Sequence, residues 1–243
     1  MISICLATYN GSPYIEAQLR SVLEQLSQKD EIVVADDGST DDTIAIVDAI
    51  GDPRIRWVAQ GGSLGVVKNF ERSVSAARGE YILLCDQDDV WLSGKIEHCI
   101  AALQTHLLVV TDCKVVDSEL NEIAPSFFRL RNSGGGLLRN LWKNSYLGCC
   151  MAFRRELLDY ALPFPAGIPM HDMWLGMIAA TRGSVGFLPM PLSLYRRHAD
   201  SASDTAGKSS ASIWKMLTDR VFLGSLVAKR AVANAFSQAR ARH

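Results

Sequence analysis

Residues 81–91 read Tyr-Ile-Leu-Leu-Cys-Asp-Gln-Asp-Asp-Val-Trp, a continuous apolar run that stops at three carboxylates within four positions. A short unbroken apolar run with polar ends describes a strand buried on both faces. Tyr81–Cys85 is therefore expected at the centre of an α/β sheet. Ligands of open α/β sheets bind beyond the carboxyl ends of the strands, where these acids stand. Asp86, Asp88 and Asp89 repel one another unless a cation or hydrogen-bond donors hold them.

The pattern recurs along the chain. Ile2–Ala7 is apolar and ends at Thr8-Tyr9-Asn10-Gly11; Glu31–Ala35 ends at Asp36-Asp37-Gly38-Ser39-Thr40-Asp41. Helical spacing follows each, through Tyr14, Ile15, Leu19, Val22, Leu23 and Leu26 in the first case. In the second it runs from about Asp42 to Ile50, with Ser39 or Thr40 as its cap. A strand Ile55–Val58, a helix Val66–Arg78, a helix near Ser93–Thr105 and a strand Leu107–Thr111 continue the alternation. This is the signature of βαβ units on a mostly parallel sheet flanked by helices. Asn121–Gly136, ending in three glycines, reads as a flexible loop. Tyr146–Phe153 is strand-like and Arg155–Tyr160 a short helix. A proline-rich loop, Pro163–Pro169, delivers His171-Asp172 to a helix ending near Arg182, and Val185–Met190 is the last strand.

Charge is uneven along the chain. The whole carries -1, but residues 208–243 hold seven Lys/Arg against one acid, Asp219. The tail is thus near +6 and the body near -7, which suggests an anionic partner for the tail. Within it Ile213, Met216, Leu217, Val221, Leu226 and Val227 form an apolar stripe on a helix of about Ser210–Ala239. Such a helix suits an anionic bilayer surface, or packing on the domain or a second subunit. The six cysteines lack Cys-x-x-Cys spacing and lie mostly in apolar stretches, so reduced buried thiols are expected and zinc is not. No apolar run approaches the roughly 20 residues that span a bilayer. A cytoplasmic location follows, with the inner face of the cell membrane as the place of peripheral contact.

Asp86-Gln87-Asp88 offers hard oxygen ligands suited to Mg²⁺ or Mn²⁺, or else a solvated turn capping the next helix. Trp91 is a large aromatic of the kind that walls a pocket at a strand end. Asp36-Asp37 can accept hydrogen bonds from a ribose or base edge, or simply make a turn. Asp172 can serve as a general base toward a hydroxyl, or stabilise a helix N-terminus. Tyr195-Arg196-Arg197-His198 forms a cationic patch suited to diphosphate oxygens, or a solvated loop. The chain has no Gly-x-Gly-x-x-Gly after its first strand and no Gly-Lys-Ser/Thr, so dehydrogenase and P-loop readings lose their support.

Taken in order, Thr8-Tyr9-Asn10-Gly11, Tyr14-Ile15, Gln18-Leu19, Val34-Ala35-Asp36-Asp37-Gly38-Ser39-Thr40-Asp41, Asn69-Phe70 and Asp86-Gln87-Asp88-Asp89-Val90-Trp91 resemble the family-2 glycosyltransferases. Gly148–Phe153, His171-Asp172-Met173-Trp174 and Tyr195–His198 extend the resemblance to roughly residues 2–198. The Asp-Gln-Asp-Asp-Val-Trp form is most similar to a bacterial rhamnosyltransferase-like branch. The resemblance implies a GT-A fold over 1–200, with a nucleotide-sugar half of about 1–110, an acceptor half of about 111–200 and the basic helical tail 208–243. It implies an inverting, metal-dependent transfer from a nucleoside-diphosphate sugar (dTDP-rhamnose or a UDP-hexose). The acceptor it implies is a hydroxyl of a growing surface polysaccharide, O-antigen or lipid-linked saccharide, and no nucleic acid.

By the same resemblance Ala7, Tyr9 and Asp37 hold the nucleobase region with Asp36 nearby. Asp86 lies at the ribose or metal, Asp88 ligates Mn²⁺ or Mg²⁺, Asp172 is the base, and Arg197 and His198 stand near the diphosphate. Thr8, Asn10, Asn69, Gln87, Trp91, His171 and Trp174 complete the donor-binding candidates. Asp89 is assigned to bracing the acidic turn. The 121–136 loop or the 199–210 link is placed as a lid over the donor. Two other readings keep the same acids: a nucleotidyltransferase, for which Thr8–Ser12 lacks the basic glycine-rich loop, and a sugar-nucleotide-binding assembly protein without catalysis.

Overall fold

The computed structural model describes residues 1–198 and 213–241 of the chain. Nine strands form one sheet: β1 (Ile2–Thr8), β2 (Glu31–Asp36), β3 (Ile55–Gln60), β4 (Tyr81–Asp86), β5 (Val90–Trp91), β6 (Leu108–Val116), β7 (Glu122–Ala124), β8 (Met151–Arg154) and β9 (Val185–Arg196). The order is β3-β2-β1-β4-β8-β6-β9-β5, with β7 on the side of β6. The first four strands in this order are parallel, as the βα alternation predicts. The sheet then turns mixed: β8 is antiparallel to both β4 and β6, while β6 and β9 run parallel. β4 is central, and Ile82–Cys85 are fully buried, as its unbroken apolar run requires.

Helices cover both faces, and two apolar clusters mark the two sides of the sheet. One holds α1 (Ile15–Leu23), α2 (Thr43–Ile50) and α4 (Lys95–Ala102) against Ile4, Leu6, Ile32, Val34 and Leu83. The other holds α3 (Val66–Ala76) and α8 (His171–Arg182) against Cys5, Val33, Ile82 and Leu84. Odd and even strand residues separate cleanly into the two sets, as period-two side-chain alternation demands. All six cysteines are free and buried.

Where β4 begins, Gly79 stands so close to β1 that a Cβ would lie 2.6 Å from the Ser3 amide nitrogen and 2.8 Å from the Ile2 carbonyl carbon. Both obstacles are backbone in the middle of the sheet. Gly79→Ala should therefore cost about 2–3 kcal/mol, as overpacked cores do. A lower urea midpoint at an unchanged m-value is the expected observation.

The stretch read as a flexible loop is built instead. It contains β7, α5 (Phe127–Arg131) and, after Gly136, α6 (Leu137–Trp142). Asp112 on β6 orders it by accepting from the Ser126 hydroxyl (2.5 Å) and the Phe128 amide (2.9 Å). Asn132 ends α5 in the left-handed conformation, at φ 50°. Tyr146–Phe153 is likewise only half strand, because Gly148–Cys150 makes a 3-10 turn before β8. Neither Ser39 nor Thr40 caps α2: Asp41 accepts from the Thr43 amide at 3.0 Å, and the Ser39 hydroxyl turns back to Asp36.

The terminal helix α9 (Ile213–Ala241) lies on α6, α7 (Leu157–Ala161) and α8. Leu223 and Val227 are buried in the core of that layer and Leu226 packs against it, whereas Val221 is 74% exposed. The Arg230 guanidinium donates to the carbonyls of Tyr160, Leu162 and Pro163, satisfying the backbone where the chain leaves α7. The side chains of Ile213, Met216 and Leu217 and the link 199–210 lie outside the described residues. Among the described residues no helix is long and apolar enough to cross a membrane.

Candidate active site

The carboxyl ends of β1, β2 and β4 open onto a cavity of ≈ 610 Å³. Its far wall comes from the 144–148 segment and the start of α8. The cavity thus spans both halves of the chain, and its lining can be followed strand by strand.

At the end of β1, Ala7, Thr8 and Tyr9 line the cavity. Gln87 holds this turn: its Oε1 accepts from the Thr8 hydroxyl (2.6 Å) and the Tyr9 amide (2.8 Å), and its Nε2 donates to the Tyr9 carbonyl (3.0 Å). A Cβ at Gly11 would lie 2.4 Å from that same Oε1, so glycine is needed for Gln87 to reach the turn. Asn10 is not in the wall. In the left-handed region at φ 50°, it accepts from the Thr40 amide through its side chain and so ties the β1 turn to the β2 turn.

The two acids after β2 divide their work. Asp36 is fully buried and accepts from the amides of Gly38 and Ser39, so it builds the turn and does not line the cavity. Asp37 does line it, and its two oxygens accept from the amides of Leu64 and Gly65 at 2.7 Å each. Asp37 thereby fixes the start of α3, from which Val66, Asn69 and Phe70 reach the cavity. Asn69 donates to the Ala35 carbonyl (2.8 Å), and its Oδ1 is buried without a partner.

The acidic turn after β4 sorts its carboxylates by depth. Asp86 and Asp88 line the cavity, whereas Asp89 is fully buried beneath it and accepts from the Arg196 amide at 2.9 Å. This brace joins the turn to β9. Burial first, and then the charges of Asp89, Asp88 and Asp172, hold the Asp86 carboxyl well above the usual carboxylate range. Burial and the Asp88 charge likewise raise Asp89 to about 8. His198 reaches across to Asp88, with Nε2 2.8 Å from Oδ2. Arg196 donates from Nε to the Asp88 carbonyl (2.7 Å), and its guanidinium lies over the Tyr14 ring.

Asp172 occupies the first turn of α8 and shares the cavity with the acidic turn. Its Oδ2 accepts from the Gly148 amide (3.1 Å) and its Oδ1 from the Met173 amide (2.5 Å). Burial outweighs these bonds and raises its pKa to about 6. His171 stacks on Phe70 with ring centroids 3.8 Å apart. Burial lowers its pKa to about 3, so the ring is neutral at physiological pH, and neither ring nitrogen has a partner.

Of the expected site residues, Ala7, Thr8, Tyr9, Asp37, Asn69, Asp86, Gln87, Asp88, His171, Asp172 and His198 meet in this one cavity. Trp91 does not. Two-residue pairing of β5 with Leu194 and Ser193 of β9 turns it into the core, with the Lys95 ammonium 4.4 Å from its ring centre. Trp174 is fully buried, donating its indole N–H to the Ala161 carbonyl, and is a packing residue. Arg197 gives way to its neighbour: Arg196 lines the cavity, while the Arg197 amide continues the β6 ladder. Tyr146, whose hydroxyl is buried without a partner, and Gly148 complete the wall and were not among the expected site residues. Their signal in the sequence was weak, because an apolar strand-like stretch hid a 3-10 turn that exposes a backbone amide.

Carboxylate oxygens at Asp86 and Asp88 fit a hard divalent cation, which would offset both the burial and the neighbouring charges that hold the Asp86 pKa up. Asp86, Asp89 and Cys149 also bring one ligand atom each within 4.8 Å of one another. Hydrogen bonding to Cys150 and burial keep the Cys149 thiol protonated, so this deeper trio suits such a cation less well.

Comparison with known proteins bears on the family and the fold. Residues 3–161 match the family model described as Glycosyl transferase family 2. An uncharacterised Mycobacterium tuberculosis protein is 29% identical over 228 residues, covering 88% of this chain and 64% of its own length. The chain therefore spans less than two thirds of that relative. The Escherichia coli UDP-Glc:alpha-D-GlcNAc-diphosphoundecaprenol beta-1,3-glucosyltransferase WfgD is 25% identical, covering 91% and 87% of the two chains. The Shigella flexneri dTDP-rhamnosyl transferase RfbG is 29% identical, covering 81% and 72%. Among solved structures, the Pyrobaculum calidifontis mannosyltransferase PcManGT in complex with GDP-Man and Mn²⁺ superposes with a TM-score of 0.60. It is 20% identical, covering 99% of this chain and 75% of that one, a likeness of fold.

Proposed function

The chain belongs to glycosyl transferase family 2, and on that premise we propose that it is an inverting, metal-dependent hexosyl- or rhamnosyltransferase acting on a surface-polysaccharide acceptor. The observation that carries the reading is the grouping of carboxylates in one cavity. Asp86 and Asp88 from the β4 turn and Asp172 from α8 line it together, the last held by the Gly148 amide and near enough for its charge to act on Asp86.

Each group suits one half of a displacement. At the β4 turn, Asp86 and Asp88 would hold Mn²⁺ or Mg²⁺, which supplies charge neutralisation for the departing diphosphate. His198 orients Asp88, and Arg196 fixes the backbone of the same turn. On α8, Asp172 with a pKa of about 6 is mostly ionised at neutral pH yet basic enough to take a proton. It removes that proton from an acceptor hydroxyl as the hydroxyl oxygen bonds to the anomeric carbon. The bond from that carbon to the diphosphate oxygen breaks on the opposite face, and the configuration inverts.

Donor binding falls to Ala7, Thr8, Tyr9, Asp37 and Asn69 on the β1 and β2 side. The names of WfgD and RfbG support UDP-glucose or dTDP-rhamnose as donor, and the former supports an acceptor carried on a lipid diphosphate. The test is a thermal-shift screen of UDP, dTDP, UDP-glucose and dTDP-rhamnose, each with and without Mn²⁺. One nucleotide series should raise the melting temperature with Mn²⁺ present, and adding its acceptor should release the nucleoside diphosphate. No shift with any of them, metal present, would remove the reading.

A further inference from the structure

We propose that the outer face of α5 and α6 is a docking surface for an anionic lipid bilayer, set beside the mouth of the cavity. Helix α6 is six residues long, and its apolar residues point two ways. Leu137 and Leu141 pack inward, Leu141 reaching towards Gly224 of α9, and Asn140 is buried by bonds to the carbonyls of Gly134 and Gly136. Leu138 and Trp142, one turn apart on the opposite side, are 79% and 64% exposed. Leu130 on α5 is exposed as well. An outward Trp and two outward Leu contribute nothing to the core, so their place needs another account.

Charge supplies the second observation. From Ile123 to Arg155 the chain has no acid at all and six bases: Arg129, Arg131, Arg139, Lys143, Arg154 and Arg155. In a body that is otherwise acidic this is an abrupt reversal. Arg129, Arg139 and Lys143 are exposed beside the outward apolar residues. On the α9 side Arg220 donates to the Trp142 carbonyl (2.9 Å) and lies over the Trp142 ring. Exposed Trp and Leu rimmed by Lys and Arg form the two-part signal by which a protein surface settles at an anionic interface, the ring at headgroup level and the cations among phosphates. The surface does not depend on α9 turning its apolar stripe outward, since Leu223 and Val227 are committed to the domain.

The position gives the surface its use. Asn144, Tyr146 and Leu147 line the cavity, and Asn144 follows Trp142 by two residues. A bilayer against α5 and α6 would meet the chain on the side where a lipid-borne acceptor enters. Only this delivery role rests on the transferase reading; the lipid surface does not.

The test uses the full chain and vesicles containing neither sugar nor acceptor, so its outcome is independent of activity. Co-sedimentation with phosphatidylglycerol/phosphatidylcholine vesicles should exceed that with phosphatidylcholine alone by about tenfold and be lost at about 0.5 M salt. Leu138→Glu with Trp142→Glu should remove the binding with little change in melting temperature, because Leu138 is solvent-facing and a glutamate at 142 keeps a partner for Arg220. Arg129→Glu with Lys143→Glu should remove it independently. Absence of wild-type binding, or binding unchanged in both double variants, overturns the proposal. So does a concentration-dependent dimer that Leu138→Glu with Trp142→Glu dissolves, since the face would then belong to a second copy. A chain that binds vesicles but transfers no sugar would refute the proposed function and leave this surface standing.

Discussion

Asp172→Asn should lower kcat by about 10²–10⁴-fold while leaving nucleotide binding unchanged. Asparagine keeps an oxygen for the Gly148 amide, loses the bond from the Met173 amide, and cannot take the proton of an acceptor hydroxyl. The same substitution should make the protein more stable at neutral pH. Burial raises the folded pKa of Asp172 from 3.8 to about 6. A raised carboxyl pKa contributes stability that is fully present below the unfolded value and is lost as pH rises through the folded one. The wild type therefore carries a penalty of up to about 3 kcal/mol above pH 6, and asparagine removes it. The variant should melt below the wild type near pH 4, where it lacks the Met173 bond, and above it at pH 7, where the charge penalty is larger than one hydrogen bond. In the wild type, kcat/KM should fall about tenfold per unit as pH drops below the Asp172 pKa. Full activity of the variant would sink the base assignment, and identical melting at pH 7 would sink the buried charge.

Asp88→Ala should produce the second large change, on the donor side. Removing the ligand should weaken metal-dependent nucleotide binding and activity by at least about a hundredfold, since outer partners of metal ligands alone cost 10- to 100-fold. Chelation of the wild type should reproduce the loss, and Mn²⁺ should reverse it. His198→Ala, which frees Asp88 to turn, should cost nearer tenfold. Without cation the two proteins should melt close together, because Asp88→Ala relieves the charge beside Asp86 but loses the bond to His198; the variant should lack the stabilisation that Mn²⁺ and nucleotide give the wild type. Equal Mn²⁺ response in both proteins would move the cation elsewhere, with the Asp86, Asp89 and Cys149 trio the first place to look.

The strands with acids at their ends were legible because buried parallel strands are apolar between their ends, and β1, β2 and β4 are so apart from Ser3. What the sequence withheld was phase. Asp36 and Asp37 are adjacent and chemically identical, yet one folds into its own turn and the other braces α3, a difference set by where β2 stops. Arg196 and Arg197 differ for the same reason at the end of β9. Trp91 looked like a pocket wall, but a strand of two residues leaves no periodic trace to show which way its rings point. The 121–136 stretch misled through its glycines. Its order comes from Asp112, a contact across fourteen residues or more that local composition does not encode. The pairing of Asp172 with Gly148 is of the same kind, long in sequence and carried by a backbone amide.

β9 ran past its expected end at Met190 and carries Arg196 into Asp89. Its pairing with β6 extends from Val185 to Arg196, and β8 stitches β6 to β4. Among the described residues the strands before and after residue 110 are therefore one continuous hydrogen-bonded sheet, with no seam between two lobes. A hinged closing of two lobes is not built into such a frame. Whatever enters or leaves the cavity passes its rim, where the 61–65 and 143–147 segments stand at the edge of a single sheet.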